Sequence, residues 1–217
     1  MPPRLSASSR LGGFHDEVGW GALAGPIISC VAVFRQSDLN LLPAGVKDSK
    51  KTSNAQREML YTPLCQTALD VGLGHAWPWE IDRIGAMPAL QLSYKRALDD
   101  LCVAKPDLLI VDGSNRIEAW KGRQWVEPKA DVNHLQVSAA SIIAKWFRDE
   151  IMRGYAKKLK RLGMPDYGWD INMGYGTSDH TEAIKKFGLL VDAQNHELYL
   201  HRRLYCRKIR RQDGSLP

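Results

Sequence analysis

Two apolar segments near the N-terminus constrain the fold of this chain more than any other part of its sequence. The second segment, residues 27–34, is rich in β-branched side chains and predicts a buried strand. The first begins at Gly12 and contains two adjacent acids, Asp16 and Glu17, before a glycine-rich connection. We therefore expect an antiparallel pair of strands in which one acid faces inward, because adjacent strand residues point to opposite faces.

Strand-like and helix-like segments then alternate along the chain. A capping-box pattern at Ser53 and Gln56 predicts a helix that ends or restarts near Pro63. Helical spacing also marks residues 80–102, where Pro88 would split the helix. Further strands are expected at 70–79, 107–113 and 124–126, and further helices at 134–162, at 178–187 and near Asn195. This order predicts an α/β fold with a mixed β-sheet flanked by α-helices and a helical C-terminal region.

Length and charge favour one domain with a basic end. The chain has 217 residues and a formal net charge of +6. Six Lys or Arg and one Asp lie between His201 and Pro217, so the rest of the chain is nearly neutral. We expect a single domain over about residues 12–203, a short N-terminal extension and a basic C-terminal tail that suits a polyanionic partner.

Targeting signals and cysteine motifs are both lacking in the sequence. No segment is apolar enough to span a membrane, and the N-terminus has no apolar core of a secretory signal. The four cysteines are widely spaced, without the paired spacing of a zinc or redox site. We therefore expect a reduced, cytoplasmic setting.

Four carboxylates stand out because of their surroundings. Asp16 and Glu17 interrupt an apolar segment, Asp112 ends the apolar run that begins at residue 107, and Asp131 precedes the long helix. A buried carboxylate is costly unless it is paired or binds a metal, and hard oxygen ligands favour Mg²⁺ or Mn²⁺. Taken alone, Asp112 is also typical of a turn or cap residue, and Asp131 of a helix N-cap.

Seven segments, in order, resemble motifs of the type 2 ribonuclease H family, ribonuclease HII. The first resembles the family's D-E-x-G-R-G-x-L-x-G motif and the second its D-S-K-K loop. The matching residues are Asp16-Glu-Val-Gly-Trp-Gly-Ala-Leu-Ala-Gly25, Asp48-Ser-Lys-Lys51, Val111-Asp-Gly113, Lys129-Ala-Asp131 with Ser138-Ala-Ala-Ser-Ile-Ile-Ala-Lys145, Tyr167-Gly168, Gly174-Tyr-Gly-Thr177 and His201-Arg-Arg203. Each segment alone is weak evidence, but their order over nearly the whole chain is specific.

The resemblance implies a ribonuclease H-like fold with a catalytic, metal-binding site of four carboxylates, Asp16, Glu17, Asp112 and Asp131. It implies hydrolysis of the RNA strand of RNA–DNA hybrids, including a single ribonucleotide embedded in duplex DNA. Two divalent ions, Mg²⁺ or Mn²⁺, would support in-line attack and leave a 5′-phosphate and a 3′-hydroxyl. Such an activity would belong to DNA replication and ribonucleotide excision repair.

The resemblance also implies where the substrate is held. Backbone groups of Gly19, Trp20 and Gly21 would reach the 2′-hydroxyl that distinguishes RNA from DNA. Tyr175 would stack on the sugar or base at the junction, although without the resemblance a packing residue is the favoured interpretation. Phosphates would be held by Ser49, Lys50 and Lys145, although such lysines are otherwise typical of a solvated surface.

Three positions depart from the family pattern. The Arg of the family's G-R-G motif is Trp20 here, which removes a charged fork of phosphate donors. His15 stands where the family has an aliphatic residue and, beside the acids, is expected to be protonatable. The segment after Asp112 carries one more residue than the family's D-G-N-R, which leaves Asp112 itself in place.

Two other interpretations stay open. The loss of the family's Arg at position 20 would fit a hybrid-binding protein with weakened catalysis. Other nucleases with a ribonuclease H-like fold, such as resolvases, are the second alternative. For the main interpretation we expect a monomer whose partner is an RNA–DNA hybrid, or duplex DNA with an embedded ribonucleotide, and not a membrane.

Overall fold

One mixed β-sheet organises the chain. A computed structural model describes residues 11–46, 52–210 and 215. Within these residues, five strands form one sheet in the order β3-β2-β1-β4-β5. The strands are β1 (Leu11–Val18), β2 (Ile27–Arg35), β3 (Asp70–Ala76), β4 (Leu108–Asp112) and β5 (Arg123–Glu127).

Helices flank this sheet, so the predicted fold class is confirmed. The helices are α1 (Asn54–Thr67), α2 (Pro78–Ile84), α3 (Ala86–Asp99), α4 (Ala130–Asn133), α5 (Leu135–Arg161), α6 (Trp169–Asn172), α7 (Ser178–Phe187) and α8 (Arg203–Cys206). Among the described residues, 3-10 helices cover Gln36–Leu41 and His196–Leu198. In the described part of the chain, no helix combines the length and apolar character needed to cross a bilayer.

The strand pairing brings two chain-distant acids to one edge of the sheet. β1 pairs antiparallel with β2, as predicted, and Asp16 lies opposite Cys30. β1 also pairs parallel with β4, where His15 lies opposite Val111. Because parallel strands end at the same edge of a sheet, the next residues, Asp16 and Asp112, emerge side by side.

The β-branched composition of the central strands explains their position in the sheet. The first eight residues of β2 are all buried, and so are the first four of β4. Strands buried on both faces read as continuous apolar runs, which is why both were predictable from the sequence.

Three predicted element boundaries are wrong. α1 does not end or restart at Pro63 but continues through it to Thr67. Residues 80–102 are split at Gly85, whose φ of +89° ends α2, and not at Pro88, which lies in the first turn of α3. Proline is tolerated in a first helical turn because its missing N–H has no partner there in any case. β3 ends at Ala76, three residues earlier than expected, because Pro78 begins α2.

The described residues form two compact units. The first consists of the described residues of Met1–Val18, Ile28–His75 and Gln91–Trp146, and it contains almost all of the sheet. The second consists of the described residues of Gly19–Ile27, Ala76–Leu90 and Phe147–Pro217. Its core includes Met152, Tyr167, Trp169 and Ile184. The expectation of a single domain over residues 12–203 stays a prediction.

Candidate active site

Three acids of the first unit interact electrostatically at the sheet edge. Asp16 is buried, and the desolvation of its carboxyl group raises its pKa well above the usual value. The charges of Glu17 and Asp112 raise this pKa further, whereas a hydrogen bond with the Ser141 side chain and another with the Glu17 backbone oppose the shift. The backbone bond, from the Glu17 N–H to Asp16 Oδ1, is 2.7 Å long.

Glu17 is held by a tyrosine that the sequence interpretation missed. The Tyr94 hydroxyl on α3 donates to Glu17 Oε2 at 3.1 Å. Burial raises the pKa of Glu17 to about 7, the hydrogen bond from Tyr94 opposes this, and the Asp112 charge adds to it. Tyr94 therefore fixes the direction of a carboxylate whose charge the protein alone does not stabilise.

Asp112 and Asp131 belong to neighbouring segments that one hydrogen bond connects. Asp112 Oδ1 accepts the Ala130 N–H, the first of α4, at 2.6 Å. Asp131 is buried and is the second residue of α4, whose N-cap position is taken by Lys129. The alternative in which Asp131 is a helix N-cap is therefore wrong. Its own carbonyl accepts the Ser138 hydroxyl at 2.5 Å, which ties α4 to the start of α5.

We name Asp16, Glu17, Asp112 and Asp131 the carboxylate edge. Within the described residues, no three His, Cys, Asp or Glu side chains already stand in the arrangement of a metal site. The donor chemistry nevertheless fits a divalent ion. All four groups offer hard carboxylate oxygens. Burial, and after it the neighbouring negative charges, raise the pKa of Asp16 and Glu17, and a bound dication would offset both effects.

His15 is neutral, contrary to the expectation that it is protonatable. Its ring is fully buried and lies edge-on to the Tyr94 ring, with 4.4 Å between the ring centroids. Neither ring nitrogen has a hydrogen-bond partner among the described residues. Burial lowers the pKa of His15 to about 3, so the imidazole acts as an apolar packing group behind the acids.

Of the three predicted phosphate-holding residues, the structure describes one. Lys145 is half-buried on α5, one helical turn beyond Ser141, whose side chain bonds Asp16. Residues four apart share a helix face, so Lys145 lies on the face of α5 that carries this contact. Ser49 and Lys50, with the rest of their loop, lie outside the described residues.

In the second unit, the loop that follows β1 contains the predicted residues Gly19, Trp20 and Gly21. Gly19 has a φ of +86°, and a Cβ there would lie 2.2 Å from Arg148 Nε. Gly19 is therefore required by the packing of the protein itself. Gly21 is exposed, and a Cβ there would meet nothing within 4 Å. Of the two glycines, only Gly21 leaves open backbone for a ligand to approach.

Two buried arginines hold this loop, and the sequence interpretation assigned neither of them a role. The Arg148 guanidinium donates to three carbonyl oxygens, those of Ala24 at 2.9 Å, Pro26 at 2.9 Å and Met173 at 2.8 Å. Arg202 donates to the carbonyls of Gly25 at 2.8 Å and Trp20 at 3.0 Å. We name residues 19–26 and 173–177, with these two side chains, the arginine-braced loops.

The two loops are also joined directly through their backbones. Gly174 O accepts the N–H groups of Leu23 at 2.8 Å and Ala24 at 3.1 Å. Gly174 has a φ of +78°, and a Cβ there would lie 2.5 Å from Ala24 O, so only glycine permits this approach. The Gly-Tyr-Gly-Thr segment is thus fixed against the loop that contains Trp20.

Tyr175 is half-buried, and its ring is supported from the protein side. The Arg148 guanidinium lies 5.1 Å from the ring centroid. The Tyr175 carbonyl accepts the Nδ1–H of His180 at 2.9 Å. His180 Nε2 is then the acceptor for Trp169 Nε1 at 3.0 Å and for His201 Nε2 at 3.2 Å. These bonds fix the position of Tyr175 and the tautomer of each histidine.

Neutral histidines are needed for this chain of hydrogen bonds. His201 Nδ1 accepts the Leu190 N–H at 2.8 Å, which leaves its Nε2–H as the donor to His180. Burial, with the neighbouring His180, lowers the pKa of His201 well below its usual value. No local sequence signal could reveal the contributions of Arg148 and His201, because both residues lie far from Tyr175 along the chain.

Comparisons with known proteins identify the family of this chain. The model of the family described as Ribonuclease HII matches residues 14–208. A ribonuclease HII from Lactobacillus delbrueckii subsp. bulgaricus is 40% identical over 188 residues, which cover 84% of this chain and 67% of that protein. One from Clostridioides difficile is 39% identical over 175 residues, which cover 80% of this chain and 64% of that protein. The chain thus spans about two thirds of the length of these two relatives.

A solved structure is similar in fold. The ribonuclease H2 from Pyrococcus horikoshii OT3 superposes with a TM-score of 0.67 at 31% sequence identity. The superposition covers 81% of this chain and 85% of that one.

Proposed function

The chain belongs to the ribonuclease HII family, a family of metal-dependent endoribonucleases, and from this premise we propose that it cleaves the RNA strand of RNA–DNA hybrids. We include in this proposal a single ribonucleotide embedded in duplex DNA. Cleavage on the 5′ side of the ribonucleotide would leave a 3′-hydroxyl and a 5′-phosphate.

The observation that carries the proposal is the meeting of Asp16, Glu17 and Asp112 at one edge of the sheet. These acids come from two parallel strands, and burial together with the neighbouring charges raises the pKa of Asp16 and of Glu17, so that these two groups resist ionisation in the protein alone. Such an arrangement destabilises the fold unless it binds a cation, so it is more readily explained by function than by stability.

We assign the divalent ions to Asp16, Glu17, Asp112 and Asp131. When bound, two Mg²⁺ or Mn²⁺ ions supply the positive charge that activates water and stabilises the leaving 3′-oxygen. Asp16 would be the central ligand of this set, because it interacts with both Glu17 and Asp112. Tyr94 and Ser141 orient the carboxylates, and the buried, neutral His15 keeps water away from their protein side.

We assign the substrate to the arginine-braced loops, with Lys50, Ser49 and Lys145 as phosphate-holding residues. Gly21 would present its backbone to the 2′-hydroxyl, because nothing in the protein fills the space beside it. The face of Tyr175 that is turned away from Arg148 would stack on the sugar or base at the junction. Trp20 would supply apolar contact in place of the family's Arg.

The test compares four substrates in Mg²⁺ and in Mn²⁺. These are duplex DNA with one ribonucleotide, a continuous RNA–DNA hybrid, an all-DNA duplex and a four-way junction. We expect cleavage of the first two only, with a 3′-hydroxyl and a 5′-phosphate at the cut, as mapped by end-labelling and ligation. The Asp16→Asn variant is the negative control.

Each contrary result has a defined meaning. Tight binding of both ribonucleotide substrates without any cut would favour the hybrid-binding protein with weakened catalysis. Cleavage of the four-way junction would favour a resolvase, which the family match already disfavours. The monomeric state and the cytoplasmic location stay predictions.

A further inference from the structure

A cleft in the second unit is lined by three arginines that the proposed site does not use. It has a volume of about 320 Å³ and lies where α2 meets the C-terminal segment. Its charged side chains are Arg83, Arg203 and Arg207 with Asp82, and its other lining residues are Trp79, Tyr199 and Leu204. We name it the arginine cleft.

Asp82 builds the arginine cleft without neutralising it. Its carboxylate accepts the N–H groups of Arg203 at 2.7 Å and Leu204 at 2.8 Å, and the Tyr199 hydroxyl at 3.0 Å. These donors are all uncharged, so the carboxylate ties the first turn of α8 to α2 while the guanidiniums stay available. Within the described residues, none of the three guanidiniums forms an ion pair.

Aromatic rings hold two of the arginines in place. The Trp79 ring stacks on His196, with centroids 4.3 Å apart and planes 8° from parallel, and the Arg83 guanidinium lies 5.5 Å from the Trp79 centroid. The Arg203 guanidinium lies 5.7 Å from the Tyr199 centroid. A guanidinium that already packs on an aromatic ring loses less conformational entropy when it binds a ligand than a guanidinium on an unsupported side chain.

The chemistry of the cleft selects for phosphate. Arg83, Arg203 and Arg207 are all exposed, and a guanidinium offers a planar fork of donors that matches phosphate oxygens. The cleft contains three guanidinium groups and one carboxylate, that of Asp82, whose hydrogen-bond donors are all within the protein. Positive charge is therefore in excess and favours the binding of an anion. No residue of the carboxylate edge lines the cleft.

We propose that the arginine cleft binds a phosphate of the nucleic-acid backbone, and not the phosphate that is cleaved. This inference rests on the proposed function, because it takes the substrate of that function as its ligand. Contacts to phosphate position a protein on a duplex without reading its sequence or its sugar. The cleft therefore increases affinity for hybrid and for DNA duplex alike, whereas the arginine-braced loops and the carboxylate edge decide what is cut.

The test replaces the three arginines together and compares the result with a matched control. The cleft variant is R83Q/R203Q/R207Q. The control variant, K160Q/R161Q/K186Q, removes three exposed positive charges of the same unit that lie outside the cleft. Dissociation constants for a hybrid and for an all-DNA duplex are measured by fluorescence anisotropy in EDTA, from 50 to 200 mM salt, so that no cleavage occurs.

We expect the cleft variant to bind both duplexes about tenfold more weakly than wild type. The slope of log K against log salt should become shallower by about 0.9, the value for one lost phosphate contact. The control variant should change the dissociation constants less than about threefold, because screening weakens the effect of distant charges. A variant with three Arg→Lys changes, which keeps the charge but not the forks, should lie between wild type and the glutamine variant.

Three results would overturn the inference. One is an equal loss of affinity in the cleft and control variants, which would mean that the overall positive charge of the protein, and not a specific site, attracts the duplex. Another is a loss confined to the hybrid, which would mean that the cleft reads the RNA strand. The third is no loss of affinity at all.

Cleavage of the hybrid at saturating substrate is measured separately, and we expect the kcat of the cleft variant to equal that of wild type. If wild type binds as expected but does not cut, the proposed function fails while the cleft result stands.

Discussion

The carboxylate edge and the arginine-braced loops both bury charge, but they treat it in opposite ways. At the carboxylate edge, Asp16, Glu17 and Asp112 repel one another, and their hydrogen bonds do not prevent a rise in the pKa of the first two. In the arginine-braced loops, Arg148 and Arg202 are fully buried, and their guanidinium groups donate hydrogen bonds to backbone carbonyl oxygens.

The difference separates two kinds of functional residue. Groups that must bind a ligand are left electrostatically unsatisfied, and their removal should stabilise the ligand-free protein. Groups that position the backbone, such as Arg148 and Arg202, donate hydrogen bonds to the protein's own carbonyl oxygens, and their removal should destabilise it. The same experiment, a measurement of folding free energy in EDTA, should therefore give opposite signs for the two regions.

The largest expected effect is on catalysis at the carboxylate edge. Asp16→Asn should lower kcat by at least about 10³-fold, because loss of a carboxylate that would hold the metal removes several kcal/mol of transition-state stabilisation. The dissociation constant for the hybrid should change by less than about threefold, because phosphate contacts dominate affinity. Single-turnover cleavage and anisotropy measure the two quantities. Asp99→Asn, at an exposed acid of the same unit, is the matched control, and a kcat for Asp16→Asn within tenfold of that control would refute the assignment.

The next effect tests the arginine-braced loops. Arg148→Met leaves the carbonyls of Ala24, Pro26 and Met173 without their buried donor. We expect the free energy of unfolding, measured in urea, to fall by about 3 kcal/mol. Arg153→Met, which removes only a partly exposed ion pair with Glu150, should cost less than about 1 kcal/mol. Equal effects of the two substitutions would show that Arg148 is not a brace.

A smaller effect of opposite sign is expected for Glu17. Its pKa is raised to about 7 in the folded protein. Folding is therefore penalised at every pH at which the carboxyl group of the unfolded chain has already lost its proton. The penalty is absent below about pH 4, grows between pH 4.5 and 7, and is complete above pH 7. Glu17→Gln should therefore stabilise the metal-free protein by about 2 kcal/mol at pH 8 and by less at pH 5.

Urea unfolding in EDTA at both pH values measures the effect of Glu17→Gln. Glu118→Gln, at an exposed acid of the same unit, should change stability by less than about 0.5 kcal/mol at either pH. A Glu17→Gln variant that is less stable than wild type at pH 8 would contradict the contrast between the two regions.

The smallest effect concerns Trp20. Trp20→Arg restores the charged side chain of the family's motif, and the Arg202 bond to the carbonyl of residue 20 should keep the loop in place. We expect the salt dependence of hybrid binding to steepen by about 0.9 in log–log slope, with little change in stability. An unchanged slope would mean that the side chain at position 20 does not face a phosphate.

Elements defined by local patterns could be predicted from the sequence. β2 is a continuous buried run rich in β-branched residues, β4 ends in Asp112 as expected, and α7 covers the predicted residues 178–187 because Thr177 caps it. That Asp16 and Asp112 belong to one site was expected from the family resemblance, and not from the strand pattern alone.

The other features depend on partners far away in the chain. Arg148 precedes the Tyr175 segment in the sequence and Arg202 follows it. The carbonyl groups that they bind in the loop after β1 lie more than 120 residues away from them. His15 could not be predicted to be neutral, because its burial depends on its contact with Tyr94 from α3. The break at Gly85 and the continuous helix at Pro63 show that tertiary packing overrides local helix signals.

The most direct test of the central claim is a calorimetric titration of Mn²⁺ into the protein without substrate. The account predicts that wild type and Asp99→Asn bind the ion with the same affinity. It predicts that Asp112→Asn binds it more than about tenfold more weakly, because even outer partners of a metal site contribute that much. Equal Mn²⁺ affinity in Asp112→Asn and wild type would contradict the assignment of the carboxylate edge as the metal site.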